Sequence, residues 1–244
     1  MATATSSRGR AAWALAEIGN AQKPGVGVPA YTRWVNRRLA RYPAALAYAW
    51  GLGPNAVSLV SFFTSAVGLA ILVLSDPHQV WIGVVVAVLL AAGFVLDSAD
   101  GQLARLSGAS GPAGEWLDHL LDAVRSPAVH LSILVVGLGR GESPVWIAWV
   151  AFFFALTQVG QFSSQMLGGM LLDRTAGPRT PPRKYQSWIL LPTDTGVTCW
   201  MFVLWGFPAV FGTFYGILFA LCLAHALISV RRRFHELKQA GERM

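Results

Sequence analysis

The chain has 244 residues, of which 54% are hydrophobic and only 13% are charged, and its formal net charge is +7. Soluble domains carry about 25% charged residues. One soluble core of this length cannot hide so much apolar surface, so the composition excludes an ordinary soluble enzyme and predicts one integral-membrane domain. The positive charge is then typical of a protein at an anionic membrane surface, and nucleic-acid binding is the weaker interpretation.

Residues 1–27 are predicted to be a flexible cytoplasmic tail. The apolar stretch 11–18 is short, is interrupted by Glu17 and is followed by Pro24, so it does not have the form of a secretory signal.

Residues 28–50 are predicted to hold an amphipathic helix that lies at the membrane interface. Its basic side chains recur every four residues, and its aromatic and apolar side chains share another face. The basic residues are Arg33, Arg37 and Arg41, and the apolar ones are Tyr31, Trp34, Val35 and Tyr42. The alternative is an ordinary cytoplasmic helix packed on the spans. The position just before the first crossing, together with the arginine spacing, favours the headgroup region.

Six apolar stretches follow, each near the roughly 20 residues that a bilayer crossing needs. They cover residues 57–74, 80–96, 117–138, 145–171, 188–207 and 214–230. The predicted fold is an all-α integral membrane protein with six transmembrane helices. The catalytic domain is predicted over residues 51–232, with a basic cytoplasmic tail over 233–244.

Two cysteines, Cys199 and Cys222, lie in apolar stretches without paired spacing and are predicted to be buried, unreactive thiols.

The basic residues favour an even number of crossings. Of the 19 Lys and Arg residues, 17 lie before the first stretch, after the second, after the fourth or after the sixth. The others are Arg140, in an alternate loop, and Arg125, within a stretch. Because Lys and Arg mark cytoplasmic loops, both termini and the active site are predicted on the cytoplasmic side of the inner cell membrane.

Four aspartates surround the loop between the second and third stretches. Asp97 and Asp100 are three residues apart, and Asp118 and Asp122 are four apart, so each pair shares one face of a helix. A charge in a membrane helix costs roughly 2.5–3.5 kcal/mol on insertion scales, so four acids together need compensating positive charge. Hard divalent cations with oxygen ligands, Mg²⁺ or Mn²⁺, would supply it. The alternative is a set of helix caps with an ion pair to Arg125.

The same loop is rich in glycine. Gly101, Gly108, Gly111 and Gly114 allow positive φ or close backbone approach, as a nucleotide or phosphate pocket requires. A turn between two membrane helices would have the same composition. Arg105 is placed to bind phosphate with its guanidinium group.

This segment resembles the signature of the CDP-alcohol phosphotransferases (phosphatidyltransferases) at every defined position and spacing. The matching residues are Asp97, Asp100, Gly101, Ala104, Arg105, Gly114, Asp118 and Asp122. The resemblance extends to Asn55 before the first stretch and to the six-span layout, and so covers roughly residues 28–232.

The resemblance implies two divalent cations, a CDP-linked lipid donor such as CDP-diacylglycerol, and a homodimer. By the same resemblance Asp97, Asp100 and Asp118 bind metal, and Asp122 borders the metals and acts as the base. It also implies a CDP site lined by the residues Gly101, Ala104, Arg105 and Gly114, with Asn55 nearby. An acceptor hydroxyl would attack the donor phosphorus, and CMP would leave.

The acceptor is less well defined. Arg125, one turn beyond Asp122, either binds an acceptor phosphate or neutralises Asp122. Arg179 and Lys184, in a proline-rich loop, either steer a phosphorylated acceptor or anchor the loop at the membrane. Glycerol 3-phosphate, inositol phosphate, inositol and serine are all compatible acceptors, and so is the reverse arrangement with a CDP-linked small alcohol and a lipid acceptor.

Other polar residues in the spans have structural interpretations. Gln158, Gln161 and Gln165 form a stripe that favours interhelical hydrogen bonds over substrate contact. His119 and His130 lack metal-ligand partners and are predicted to be structural, and Asp194 is predicted to cap a helix. The rival classes of protein are a transporter with intramembrane acids and a non-catalytic scaffold. Neither requires the complete signature.

Overall fold

The computed structural model describes residues 6–19, 25, 27–76, 79–140, 144–175 and 185–242. The described part is helical and has no strand. In chain order the helices are α1 (Ser7–Glu17), α2 (Arg37–Leu39), α3 (Arg41–Trp50), α4 (Pro54–Leu74), α5 (Val80–Ser107), α6 (Pro112–Arg140), α7 (Val145–Thr175), α8 (Gln186–Ile189), α9 (Thr195–Trp200) and α10 (Pro208–Gly241). A π-helical turn, Thr32–Asn36, precedes α2, and 3₁₀ turns cover Leu191–Thr193 and Met201–Leu204. The all-α membrane fold is confirmed.

Within the described residues, five helices are long and apolar enough to span a membrane: α4, α5, α6, α7 and α10. Their outward faces carry large apolar side chains such as Phe63, Trp149 and Ile228, which are more than half exposed. Lipid would cover such faces in a bilayer. Inside the bundle, small residues let α4 and α5 approach closely, and the Ser61 hydroxyl donates to the Gly93 carbonyl at 2.8 Å.

The fifth predicted span, residues 188–207, is not one helix. It consists of α8, a 3₁₀ turn, α9 and a second 3₁₀ turn, and its apolar helical part, Thr195–Leu204, is too short to span a bilayer by itself. Pro192 and Asp194 lie at the break. Asp194 is fully buried and caps α9 by accepting the Gly196 N–H at 3.2 Å, as predicted.

The neighbours of α10 define the course of this interrupted segment. A side chain on Gly212 would meet Trp146 and Ile147 at the start of α7, and one on Gly168 would meet Arg233 near the end of α7. Helices α7 and α10 are therefore parallel, so the chain between them must pass from one end of the bundle to the other. Six crossings remain a prediction, and this parallel arrangement supports it.

The N-terminal region differs from the prediction. Residues 1–27 were predicted to be a flexible tail, but α1 lies within them, capped by Ser6 and with Ala14 and Ile18 fully buried. Its apolar residues pack in one cluster with alanines of α3, and Arg41 Nη2 donates to the Leu15 carbonyl at 3.1 Å. The prediction of a flexible tail is therefore wrong for this helix. The short apolar stretch is ordered because the alanines of α3 give it a surface on which to pack.

The interfacial amphipathic helix predicted over residues 28–50 stays a prediction, and in the structure this segment is a π-helical turn followed by α2 and α3. Its large exposed apolar residues are Val35, Leu39, Tyr42, Leu46 and Trp50. The opposite face docks on the bundle through Asn36, which is fully buried and donates to the Phe94 carbonyl at 3.0 Å and the Ser98 hydroxyl at 2.6 Å. Gly51 ends α3 with a φ of 71°, and Pro54 starts α4 three residues later.

Candidate active site

Helices α5 and α6 bring the four aspartates to one end of the bundle. Gly108 ends α5 in the left-handed conformation, with a φ of 68°, and Pro112 begins α6. This short connection turns the chain back, so Asp97 and Asp100 near the end of α5 face Asp118 and Asp122 near the start of α6.

Three of the carboxylates form a compact group. One oxygen from each of Asp97, Asp100 and Asp118 can be chosen so that all three lie within 4.8 Å of one another. Asp100 is buried and accepts a 2.5 Å hydrogen bond from Ser58. Clustered carboxylate oxygens at this spacing are the hard ligands that Mg²⁺ and Mn²⁺ prefer, so these residues fit a divalent cation.

Asp122 has a different environment. Among the described residues it does not join that three-carboxylate group; instead it forms an ion pair with Arg125. The same guanidinium group pairs with Asp97, and its Nη1 donates to Ser61 at 2.9 Å. Of the two roles considered for Arg125, neutralisation is the one that these contacts support.

The predicted nucleotide-binding residues all line one cleft, which we call the outer cleft. Its cavity volume is about 270 Å³, and its lining includes Asn55, Gly101, Ala104, Arg105 and Gly114. Asp100, Asp118 and His119 line it as well. A β-carbon on Gly114 would lie 3.4 Å from Asn55 Oδ1, and one on Gly101 would lie 3.3 Å from Arg105 Nη1. Both glycines are helical, so what they provide is space in the cleft rather than an unusual backbone conformation.

A second cavity, which we call the inner cavity, shares no lining residue with the outer cleft. It has a volume of about 100 Å³ and is lined by Asp97, Asp122 and Arg125. Further polar side chains complete it: Ser65 of α4, His130 of α6, Gln158 of α7 and three threonines of the interrupted segment, Thr193, Thr195 and Thr198. Gln158 was predicted to favour contacts between helices, but here it lines a cavity.

Two predicted acceptor residues, Arg179 and Lys184, lie outside the described residues. The two cysteines are free and buried, as predicted.

Sequence reasoning missed the serines of α4. Ser58 contacts Asp100, Ser61 contacts Arg125, and Ser65 lines the inner cavity. Their spacing of three and four residues on an apolar helix was the available signal.

One family comparison covers the region of the chain that contains this site. The sequence model of the CDP-alcohol phosphatidyltransferase family matches residues 52–228. This is more than half of the chain and contains the four aspartates and the outer cleft. The chain therefore belongs to the CDP-alcohol phosphatidyltransferase family.

Two relatives of the chain share one name. The chain is similar to mouse ethanolaminephosphotransferase 1, with 29% identity over 135 residues, covering 48% of this chain and 33% of the relative. It is also similar to the human ethanolaminephosphotransferase 1, with 27% identity over 135 residues, 48% of this chain and 34% of the relative. The matched part spans about a third of the length of these relatives.

Proposed function

We propose that the protein transfers a phosphoalcohol group from a CDP-linked donor to an acceptor hydroxyl, releasing CMP, as part of phospholipid synthesis. The observation that carries the proposal is the convergence of the signature residues on one cleft next to three clustered carboxylates. The donor cytidine diphosphate would occupy the outer cleft, where Arg105 would bind its phosphates.

Two divalent cations, Mg²⁺ or Mn²⁺, are proposed at Asp97, Asp100 and Asp118, with Asp122 at their border. When bound, they would supply Lewis-acid stabilisation of the negative charge that develops on the pyrophosphate. Ser58 would hold the Asp100 carboxylate in place through its hydrogen bond. Arg125 pairs with Asp97 and Asp122, and divalent cations would balance the negative charge of the three clustered carboxylates.

Asp122 is the proposed general base. Its carboxylate takes the proton of the acceptor hydroxyl, and the hydroxyl oxygen forms a bond to the phosphorus that carries the transferred alcohol. The bond from that phosphorus to the bridging oxygen breaks, and CMP leaves with the electron pair. The ion pair with Arg125 orients the Asp122 carboxylate.

CDP-diacylglycerol is our first candidate donor, with a small polar alcohol as the acceptor. The names of the two relatives favour a second candidate, a CDP-linked small alcohol with a lipid acceptor. In either case we propose a multi-pass protein of the inner cell membrane that forms a homodimer, with the active site and both termini cytoplasmic. The basic residues flanking the predicted spans support this orientation.

The test uses purified protein in mixed micelles with Mg²⁺ or Mn²⁺. One arm supplies CDP-diacylglycerol with a panel of alcohols, and the other supplies CDP-ethanolamine with diacylglycerol. We expect CMP release in one arm, and its loss after chelation of divalent cations. A lack of release in both arms would support the rival transporter or scaffold functions, and full activity after exhaustive chelation would refute the cation sites.

A further inference from the structure

The inner cavity contains a buried polar group with an open hydrogen-bonding position. His130 is fully buried, and its ring stacks on Phe154 with 3.8 Å between ring centroids. Its Nδ1 lies 2.9 Å from the hydroxyl oxygen of Tyr215. Its Nε2 is buried and has no hydrogen-bond partner among the described residues, and His130 lines the cavity.

The Tyr215 contact favours one tautomer of His130. If Tyr215 donates to Nδ1, the only unsatisfied group is the Nε2 N–H. If Nδ1 instead donates to Tyr215, both Nε2 and the phenolic hydrogen lack partners. A buried polar group without a partner costs about 1–3 kcal/mol, so the first arrangement is favoured. The unpartnered N–H at Nε2 then belongs to a residue that lines the inner cavity.

The charges around the cavity indicate what kind of molecule fits. Its described lining includes two acids, Asp97 and Asp122, and one cation, Arg125. The cation is already paired with both acids and with Ser61. A phosphate or carboxylate entering here would meet no uncommitted cation among the described lining residues, whereas hydroxyl and amide groups are plentiful.

The spacing adds a constraint on size. Asp122 and His130 are eight residues apart on α6, which corresponds to roughly 12 Å along the helix axis. Both side chains point back towards the N-terminal end of the helix, and the longer His130 side chain shortens the gap. An acceptor that reaches both must carry a second oxygen several ångströms from its attacking hydroxyl.

We propose that the inner cavity binds the acceptor, and that the bound part of the acceptor is an uncharged alcohol with a second oxygen. The attacking hydroxyl lies at Asp122, and the second oxygen accepts from His130 Nε2. A free polyol or the glycerol backbone of an acylglycerol has this chemistry. The inference rests on the proposed function, since it assigns the acceptor of that same reaction.

The first experiment compares matched acceptors that differ by one phosphate, at saturating donor. With CDP-diacylglycerol the pairs are inositol against inositol phosphate and glycerol against glycerol 3-phosphate. With CDP-ethanolamine the pair is monoacylglycerol against lysophosphatidate. We expect the uncharged member of a pair to have at least a tenfold higher kcat/KM, about 1.4 kcal/mol. A preference for the phosphorylated members would overturn the inference.

The second experiment tests His130 itself. His130→Phe removes the donor, and we expect the acceptor KM to rise about tenfold, as for one lost hydrogen bond, while the donor KM stays unchanged. His130→Gln restores an N–H near the Nε2 position and should recover part of the acceptor KM. If His130 were only structural, His130→Phe would change the donor KM and the acceptor KM alike, and His130→Gln would not selectively recover the acceptor KM.

If the His130 variants fail to fold, two threonine variants test the same inference. Thr198→Val changes a hydroxyl that lines the inner cavity, and Thr213→Val changes an exposed hydroxyl on α10 that bonds only within its helix. We expect Thr198→Val alone to raise the acceptor KM. Equal acceptor KM values in both variants would overturn the inference. Absence of CMP release with every pair of substrates would instead refute the proposed function.

Discussion

Asp97 and Asp122 share one cationic partner, Arg125, which orients both carboxylates. The Arg125 guanidinium contacts both carboxylates and is itself buried. A buried charge is tolerated when it is paired and hydrogen-bonded, and Ser61 completes the set. These contacts favour a positioning role for Arg125 over the binding of an acceptor phosphate.

Asp122→Asn tests the proposed base. The amide keeps the size of the side chain but cannot take a proton, so we expect CMP release to fall by about 10² to 10⁴-fold. The elution profile in detergent should match that of the unmodified protein. Asp173→Asn, at an exposed acid of α7 outside both cavities, is the matched control and should retain activity. Wild-type turnover by Asp122→Asn would exclude the base role.

Arg125→Met tests the shared cation. The variant leaves the half-buried carboxylates of Asp97 and Asp122 without their partner, and we expect a loss of no more than the roughly 3–5 kcal/mol typical of a broken buried pair. We expect a smaller loss in an Asp122→Asn background, with a coupling of about 0.5–3 kcal/mol. The measurement is the free energy of unfolding from SDS titration in mixed micelles without divalent cations. The same loss in both backgrounds would contradict the pairing.

Much of this site could be predicted from the sequence, because its residues are close along the chain. Two acid pairs at helical spacing across one short turn must meet when the turn reverses direction, and the structure groups three of them. The serines of α4 were missed because contacts such as Ser58 with Asp100 join residues 42 apart in the chain. A single sequence does not show which helix lies beside which.

At the scale of elements, the interrupted segment is the largest difference from the predicted spans. Hydropathy averaged over residues 188–207 indicates one apolar crossing, although Pro192 and Asp194 lie within it. Broken helices at membrane depth are tolerated where they are buried in protein or line a cavity. Here Thr193, Thr195 and Thr198 line the inner cavity. The break therefore supplies polar groups that a regular apolar helix would direct elsewhere.

The N-terminal segment holds this break in place. Asp194 accepts from the backbone N–H of Thr32 at 2.8 Å and from its hydroxyl at 2.7 Å. Trp200 Nε1 donates to the Tyr31 hydroxyl at 2.8 Å. Sequence reasoning identified Asp194 as a cap but not these partners, which lie more than 160 residues away in the chain.

Thr32→Val tests this connection. It removes one hydrogen bond to a buried carboxylate while keeping the shape of the side chain, so we expect a loss of about 1.5–3 kcal/mol in the free energy of unfolding. Thr64→Val is the matched control, because that exposed hydroxyl bonds only the Val60 carbonyl of its own helix. Equal stability of the two variants in SDS titration would show that the contact to Asp194 contributes nothing.

At the scale of the whole molecule, the polar and basic groups described above gather at one end of the bundle. The aspartates, the outer cleft and the N-terminal amphipathic segment share one end, since Asn36 contacts Ser98 and Gln102 donates to the Arg37 carbonyl at 2.9 Å. Arg233 lies beside Gly168 near the end of α7, which is the same end because α6 and α7 are consecutive and antiparallel. Basic residues at one end are what the positive-inside rule requires of a cytoplasmic face.

The number of crossings can be decided by locating the two termini. If the interrupted segment crosses the membrane, as the parallel packing of α7 and α10 supports, both termini lie on one side, which we propose is cytoplasmic. Single cysteines replace exposed residues in variants Arg8→Cys, Lys238→Cys and Gln79→Cys, and the two native thiols are buried. We expect a membrane-impermeant maleimide to label Gln79→Cys in intact spheroplasts, and to label the other two only after the membrane is opened. Labelling of Lys238→Cys but not Arg8→Cys from outside would mean an odd number of crossings, and the segment between α7 and α10 would then have to return to the side from which it started.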